Sequence, residues 1–265
     1  MPEASNAGPA VNFSAATSLA MELNFNGAQP QHFGAPAASA TAFCSGDFEG
    51  DVRRGASCNC SSITLIPHCN GTHTESVGHL TAGFRPLHEF VPLAPIPALL
   101  LSVDVVSAAA TAEDSVPAPH QGDSLITREG LLKHWPAGMP ITPRALLLRT
   151  RSNGEHATQS ANPPYLTRQA ASEMVERGIE HLVVDLPSVD RTSDTGKLTA
   201  HRVFFGLPPG STDARVATRA HCTITELAQF PTTLKDGPCA LQLQFPAFTG
   251  DAVPSRPVHL PLATT

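Results

Sequence analysis

The sequence predicts an α/β fold with a mixed β-sheet and few helices, and three observations lead there. Six short apolar or alternating runs are spaced along the chain, the pattern of strands buried on one or both faces. One amphipathic segment of helical period runs straight into one of them, a helix-to-strand unit that packs as an α/β layer. The 25 prolines are roughly twice the usual frequency of ~5%, which favours strands, turns and extended loops over a helical bundle.

Taken in order, residues 1–24 are rich in Ala, Ser, Asn and Pro without periodicity and read as a flexible N-terminal arm, leaving 25–265 as one domain. "ASCNCSSITLIP" (56–67), "ALLLSVDVV" (98–106) and "RALLLRT" (144–150) read as strands, with Cys58 and Cys60 as buried strand residues. "TREGLLKHW", from Thr127, is a weaker helix candidate. "TRQAASEMVERG" is the clear one: Thr167 is its N-cap, Ala170, Ala171, Met174 and Val175 share a face, and Arg177 with Gly178 supplies the stop. "EHLVVDL" (180–186), "HRVFFGL" (201–207) and "CALQLQFPAF" (239–248) complete the strand set, with "SVPAPHQGDS" and "PPGSTDAR" as loops.

Composition narrows the function. A net charge of −6 without any basic block argues against nucleic acid or an anionic membrane as partner. The longest apolar run is interrupted by Asp104 and is short of the ~20 residues that span a bilayer. The N-terminus does not read as a secretory signal. The six cysteines therefore read as reduced thiols of a cytoplasmic protein, although Asn59 and Asn70 lie in formal glycosylation sequons. No G-x-S-x-G, P-loop or dinucleotide fingerprint occurs.

The densest chemistry lies in "PHCNGTHTESVGHL" (67–80). Read as an extended segment, its even spacings place Cys69, Gly71, His73, Glu75 and His79 on one face, with His68 pointing away unless a bulge turns it. Imidazoles, a carboxylate and a thiol on one face have the right atoms for zinc or another first-row divalent metal. A lone histidine would read as an ordinary core or surface residue, and His88, His134, His156, His181 and His221 are read so. Three histidines with an intervening carboxylate are a different signal.

"HCNGTHTESVGH" resembles the H-x-G-T-H-x-D-x-P-x-H signature of the cyclase family of metal-dependent hydrolases, which includes kynurenine formamidase and isatin hydrolase. The likeness continues through "RALLLRT", "YLTRQAASEMVERGIEHLVVDLPSVD" with its D-x-x-S-x-D turn, "TAHRVFFGL", "TITELAQF" and "FTGDAVPSRPV", over roughly residues 50–260. It implies a swivelling β/β/α-type single domain with two divalent metal ions, Zn(2+) first and Mn(2+) as the alternative. By resemblance, His73 is a ligand of the first metal, Glu75 is shared by both, His201 is a ligand of the second, Glu226 spans the pair and His79 is the general acid and base. A homodimer or homotetramer acting on a small-molecule substrate is implied as well. Phe25 and Phe33 are candidate pocket walls, because the family often closes its site with N-terminal residues.

This chain departs from the signature. The first-ligand position is Cys69, with His68 one step earlier, so either a bulge brings His68 to the metal or a thiolate replaces an imidazole. Glu75 is one methylene longer than the family's Asp, and Val77 stands in place of Pro. The resemblance implies hydrolysis of an N-formyl, N-acyl or cyclic amide or lactone bond, arylformamidase-like, by metal-activated water. The alternative is a catalytically altered member serving as a metal-binding or scaffold protein; a third reading has the Cys69 thiolate regulate metal loading. Asp185, Ser188 and Asp190 read as turn-capping residues, and Asp251, Ser255 and Arg256 as an ion pair or turn.

Overall fold

The computed structural model describes residues 10–83, 85–151 and 160–263. The chain forms two compact units, residues 22–71 and residues 1–21 with 72–265. Elements are numbered along the whole chain. The larger unit begins with β1 (Thr17–Ser18). The smaller unit holds two antiparallel pairs, β2 (Ser39–Ala42) with β5 (Ser61–Thr64) and β3 (Cys44–Ser45) with β4 (Phe48–Glu49), followed by one helical turn, α1 (Pro67–Asn70).

The larger unit continues with β6 (His73–Glu75), β7 (Ile96–Asp104), β8 (Val106–Ser107), β9 (Ser124–Ile126), α2 (Arg128–His134), β10 (Ala145–Arg151), β11 (Tyr165–Leu166) and α3 (Arg168–Glu176). Then come β12 (His181–Val184), α4 (Thr199–Phe205), β13 (Thr223–Glu226), β14 (Gly237–Gln244), β15 (Ala252–Pro254) and β16 (Arg256–Pro261). Nine of these strands form one sheet in the order β1-β16-β14-β7-β10-β12-β13-β6-β15. Its centre, β7-β10-β12-β13, is parallel, and the pairings on either side are antiparallel.

The mixed sheet and few helices are those the sequence predicts. The central strands are continuous apolar runs because both faces are covered. Leu99, Leu146, Leu182 and Ile224 point toward Ala170, Met174 and Phe204 of α3 and α4. Leu100, Leu147 and Val183 point the other way, with Leu19, Phe230 and Leu241. The two helices read from sequence form as expected: Thr127 Oγ1 accepts from Gly130 N and Thr167 Oγ1 from Ala170 N, both at 3.0 Å, and Gly178 takes the left-handed conformation after α3.

Three expectations are corrected. "HRVFFGL" is helical: α4 ends at Gly206, whose φ of +61° is the left-handed stop, and its first turn is capped by Asp190. A short apolar run suits a buried helix as well as a strand, and the cap, remote in sequence, decides it. In 56–67 only Ser61–Thr64 is a strand, paired on one side and exposed throughout, and Cys58 and Cys60 are exposed rather than buried. The loose arm does not extend to residue 24. β1 pairs with β16, Leu19 is fully buried, and Ala20 bridges Ala228, because even a two-residue strand gains ladder hydrogen bonds and an apolar anchor. Among the described residues no helix is long and apolar enough to cross a membrane.

Candidate metal centre

The centre is assembled from one edge region of the large sheet and the helix above it. On β6, His73 and Glu75 are two residues apart and share a face. The antiparallel register sets Glu226 of β13 directly opposite His73, so the three side chains meet on that face, with ligand atoms all within 4.8 Å of one another. His73 Nε2 is 3.5 Å from Glu226 Oε2. From α4, His201 brings Nε2 to 2.7 Å from Glu75 Oε1 and 3.6 Å from Glu226 Oε1. His79 stands on a 3-10 turn (Val77–Leu80), capped by Ser76, with Nδ1 3.9 Å from Glu75 Oε2 and 4.0 Å from Asp251 Oδ2. The groups alternate in a row, His73, Glu226, His201, Glu75, His79, and each carboxylate lies between two imidazoles.

A second set of contacts holds the row. Asp190 accepts from Ala200 N (2.7 Å) and His201 N (3.0 Å), and its Oδ2 lies 2.6 Å from His201 Nδ1. One carboxylate thus caps α4 and orients the imidazole, the arrangement by which an outer carboxylate fixes a metal-binding histidine. Val189 N donates to Glu226 Oε1 at 2.8 Å. On the opposite face of β6, Thr74 Oγ1 lies 2.8 Å from Thr225 Oγ1 and donates to Ser255 Oγ. Leu227, immediately after Glu226, has φ +55°, and Leu198, three residues before His201, has φ +48°. Such conformations cost a leucine about 1 kcal/mol or more each, so the segments that carry Glu226 and His201 are held by surrounding structure against local preference.

Four of the five groups are almost fully buried, and His79 keeps 27% of its side-chain surface. Burial works against protonation of His201, but the carboxylates of Glu75 and Asp190 outweigh it and hold the imidazole well above its usual range. Buried carboxylates gathered this closely require compensating positive charge. A divalent cation would supply it, and oxygen and nitrogen donors from carboxylate and imidazole fit a first-row divalent metal.

The extended reading of 67–80 holds only for His73 and Glu75. Pro67 starts α1, Ile66 N donates to the Asn70 side chain, and the chain turns helical before β6 and again at Val77, so the period-two face is lost on both sides. His68 and Cys69 are consecutive on α1, where successive side chains diverge by about 100°. Burial raises the Cys69 thiol above its ordinary pKa. Phe25 and Phe33 lie in the smaller unit, half-buried and exposed respectively, and Phe33 has φ +56°.

Sequence reasoning missed the working role of Asp190, whose signal was its place at the end of the D-x-x-S-x-D turn. Asp185 accepts from Thr150 N and Oγ1 on β10, and burial pushes its carboxyl up to about 6. Arg256 reaches Ser18 Oγ at 3.4 Å, while Asp251 faces His79. His181 is an ordinary buried residue against Thr223 Oγ1, and His156 lies outside the described residues.

The Cyclase family model matches residues 16–191, two thirds of the sequence and every element from β1 to Asp190. The chain belongs to the cyclase family. Solved structures share the fold across nearly the whole chain. A potential metal-dependent hydrolase with cyclase activity aligns at TM-score 0.60 and 15% identity, covering 94% of this chain and 98% of its own. Isatin hydrolase A from Labrenzia aggregata aligns at TM-score 0.60 and 16% identity, covering 94% of each chain. A protein from Bacillus stearothermophilus described as a predicted metal-dependent hydrolase aligns at TM-score 0.57 and 15% identity, covering 92% of this chain and 97% of its own. None of the curated proteins compared is similar in sequence. This cyclase-family chain keeps the swivelling β/β/α fold with its mixed sheet and few helices.

Proposed function

We propose that this protein is a metal-dependent hydrolase that cleaves the amide bond of a small N-formyl, N-acyl or cyclic amide substrate, aromatic ones included, or the corresponding lactone. The observation that carries this reading is the alternating row in which Glu226 faces His73 and His201 while Glu75 faces His201 and His79. His73, Glu75, His201 and Glu226 would hold two divalent ions, zinc first and manganese as the alternative. A bound divalent cation lowers the pKa of water toward ~7 and polarises a carbonyl.

The protein's own groups do the remaining work. Glu75 and Glu226 balance the charge, and Asp190 holds the His201 ring so that Nε2 faces Glu75. His79, the most exposed of the row, takes a proton from the attacking water and returns it to the leaving nitrogen or oxygen, the task for which imidazole is suited near neutral pH. Phe25 and Phe33 contribute apolar contact to the substrate, and the enzyme works in the cytoplasm as a homodimer or homotetramer.

The test is elemental analysis of protein purified without chelator, together with turnover of N-formyl aromatics and cyclic amides. Metal near two equivalents and turnover lost in His79→Ala support the reading. His68→Ala and Cys69→Ala side by side identify which one is the first ligand. A second reading rests on the departure at that position: a family member that binds metal but no longer turns over. Stoichiometric metal with no turnover of any amide, ester or lactone would favour it. Deleting residues 1–36 without change in KM or kcat would remove Phe25 and Phe33 from the site.

A further inference from the structure

On the side of α4 away from His201 lies a pocket of about 570 Å³, within the range of ~300–1,000 Å³ typical of small-molecule sites. α4 turns Thr199, Arg202, Val203 and Gly206 toward it, at helical spacings of three and four, while Phe204 and Phe205 stay in the core. Its apolar wall is Val116, Val203, Leu207, Pro208 and Pro209, and half of the Val116 surface is exposed there. The turn that closes it is rigid. Gly206 has φ +61°, a Cβ at that position would fall 2.1 Å from Thr218 Oγ1, and two consecutive prolines follow within three residues.

Three cations line the pocket, and they differ in how their charge is balanced. Arg168 donates Nε and Nη2 to the two oxygens of Asp114, each at 2.9 Å, and is neutralised. Arg202 is held by neutral carbonyls alone: Nε donates to Lys197 O at 3.0 Å, and Nη1 to Pro208 O at 3.0 Å and Ser211 O at 2.9 Å. Its guanidinium is fixed in place with Nη2 uncommitted and no carboxylate within ion-pair distance among the described residues. Lys197 is exposed and likewise meets no carboxylate among them. An apolar wall beside two uncompensated positive charges, one pre-positioned, selects an anion with an apolar body. With so few donors, a singly charged carboxylate fits better than a phosphate dianion.

We propose that this pocket binds a small monocarboxylate through Arg202 and Lys197, with its apolar body against Val116 and Val203. The site is separate from the metal centre, and no step of hydrolysis depends on it. The test is titration of the full chain as purified, methyl-labelled at Val and Leu, with benzoate and with uncharged benzamide. Benzoate should move the methyl signals of Val116 and Val203 saturably. Benzamide, and benzoate against Lys197→Glu, should bind there more weakly by roughly fivefold. Metal content should be the same in Lys197→Glu as in wild type. Equal binding of benzoate and benzamide at these methyls would overturn the proposal, as would benzoate shifts confined to residues around His201. So would an oligomer in which a second copy already covers Val116 and Val203.

Discussion

Two regions of the large sheet gather many charged side chains, and they are built on opposite principles. Near the ends of β7 and β10, Arg149 donates Nε to Ser102 Oγ at 2.8 Å and its other nitrogens to Pro231 O, Leu234 O and Asp236. Arg151 adds contacts to Asp104 and Asp236, and Lys133 and His134 both reach Asp104. Cations and anions there are matched within the protein, and most of the groups keep partial contact with water, so the cluster ties a loop to the strand ends and needs nothing further. In the row from His73 to His79, the groups that meet are carboxylate oxygens and imidazole nitrogens, buried and converging, with no arginine or lysine among them. The difference teaches that the density of charged residues does not mark a site. Convergence of buried carboxylates and imidazoles with no arginine or lysine among them does.

The comparison can be broken by substitution. His79→Ala should lower kcat by about 10²–10⁴ while leaving metal content unchanged, measured by turnover and elemental analysis of the same preparation. Loss of metal instead would make His79 a ligand rather than the acid and base. Asp190→Asn should weaken metal binding by about 10–100-fold without removing a ligand, read by competition with a chromophoric chelator. Arg149→Met should leave metal binding intact and cost about 2 kcal/mol of stability by chemical denaturation, because it leaves the Pro231 and Leu234 carbonyls without this donor and takes one of several partners from Asp236. A change in metal affinity there would erase the distinction between the two clusters.

A smaller effect concerns pH. Burial depresses the His181 imidazole to about 4, below its unfolded value near 6.5. The unfolded chain therefore binds the proton more readily. Stability from this group is fully present above pH ~6.5 and is lost as pH falls toward ~4, by about 3 kcal/mol at most. Asp185, raised to about 6, acts in the opposite sense: its contribution falls as pH rises from ~4 to ~6. In Asp185→Asn, denaturation midpoints should therefore rise more steeply with pH across that window than in wild type. Thr167→Ala should cost about 1 kcal/mol through loss of the α3 cap and nothing at the metal centre.

Much of this was legible in the amino acids. β7, β10, β12 and β14 follow from apolar runs, and α3 from its cap, face and stop signals. His73 and Glu75 follow from a spacing of two on a strand, and the resemblance brings His201, Glu226 and His79 beside them. The breaks at Pro67 and Val77 were not legible, because each depends on a local capping contact that competes with the extended pattern. The helical state of 199–205 was not legible either, since the side chain that nucleates it, Asp190, belongs to a different turn.

The sequence by itself determined which atoms were available: imidazoles, carboxylates and a thiol close in the chain, and buried strands to carry some of them. Local periodicity and composition are properties of neighbouring residues, so they can be read without the fold. Only the tertiary structure decided which of those atoms converge. The antiparallel register of β6 against β13 sets Glu226 opposite His73, and Asp190 sets the roll of the His201 ring. Register and ring orientation depend on contacts between segments 11 to more than a hundred residues apart, and packing selects among them.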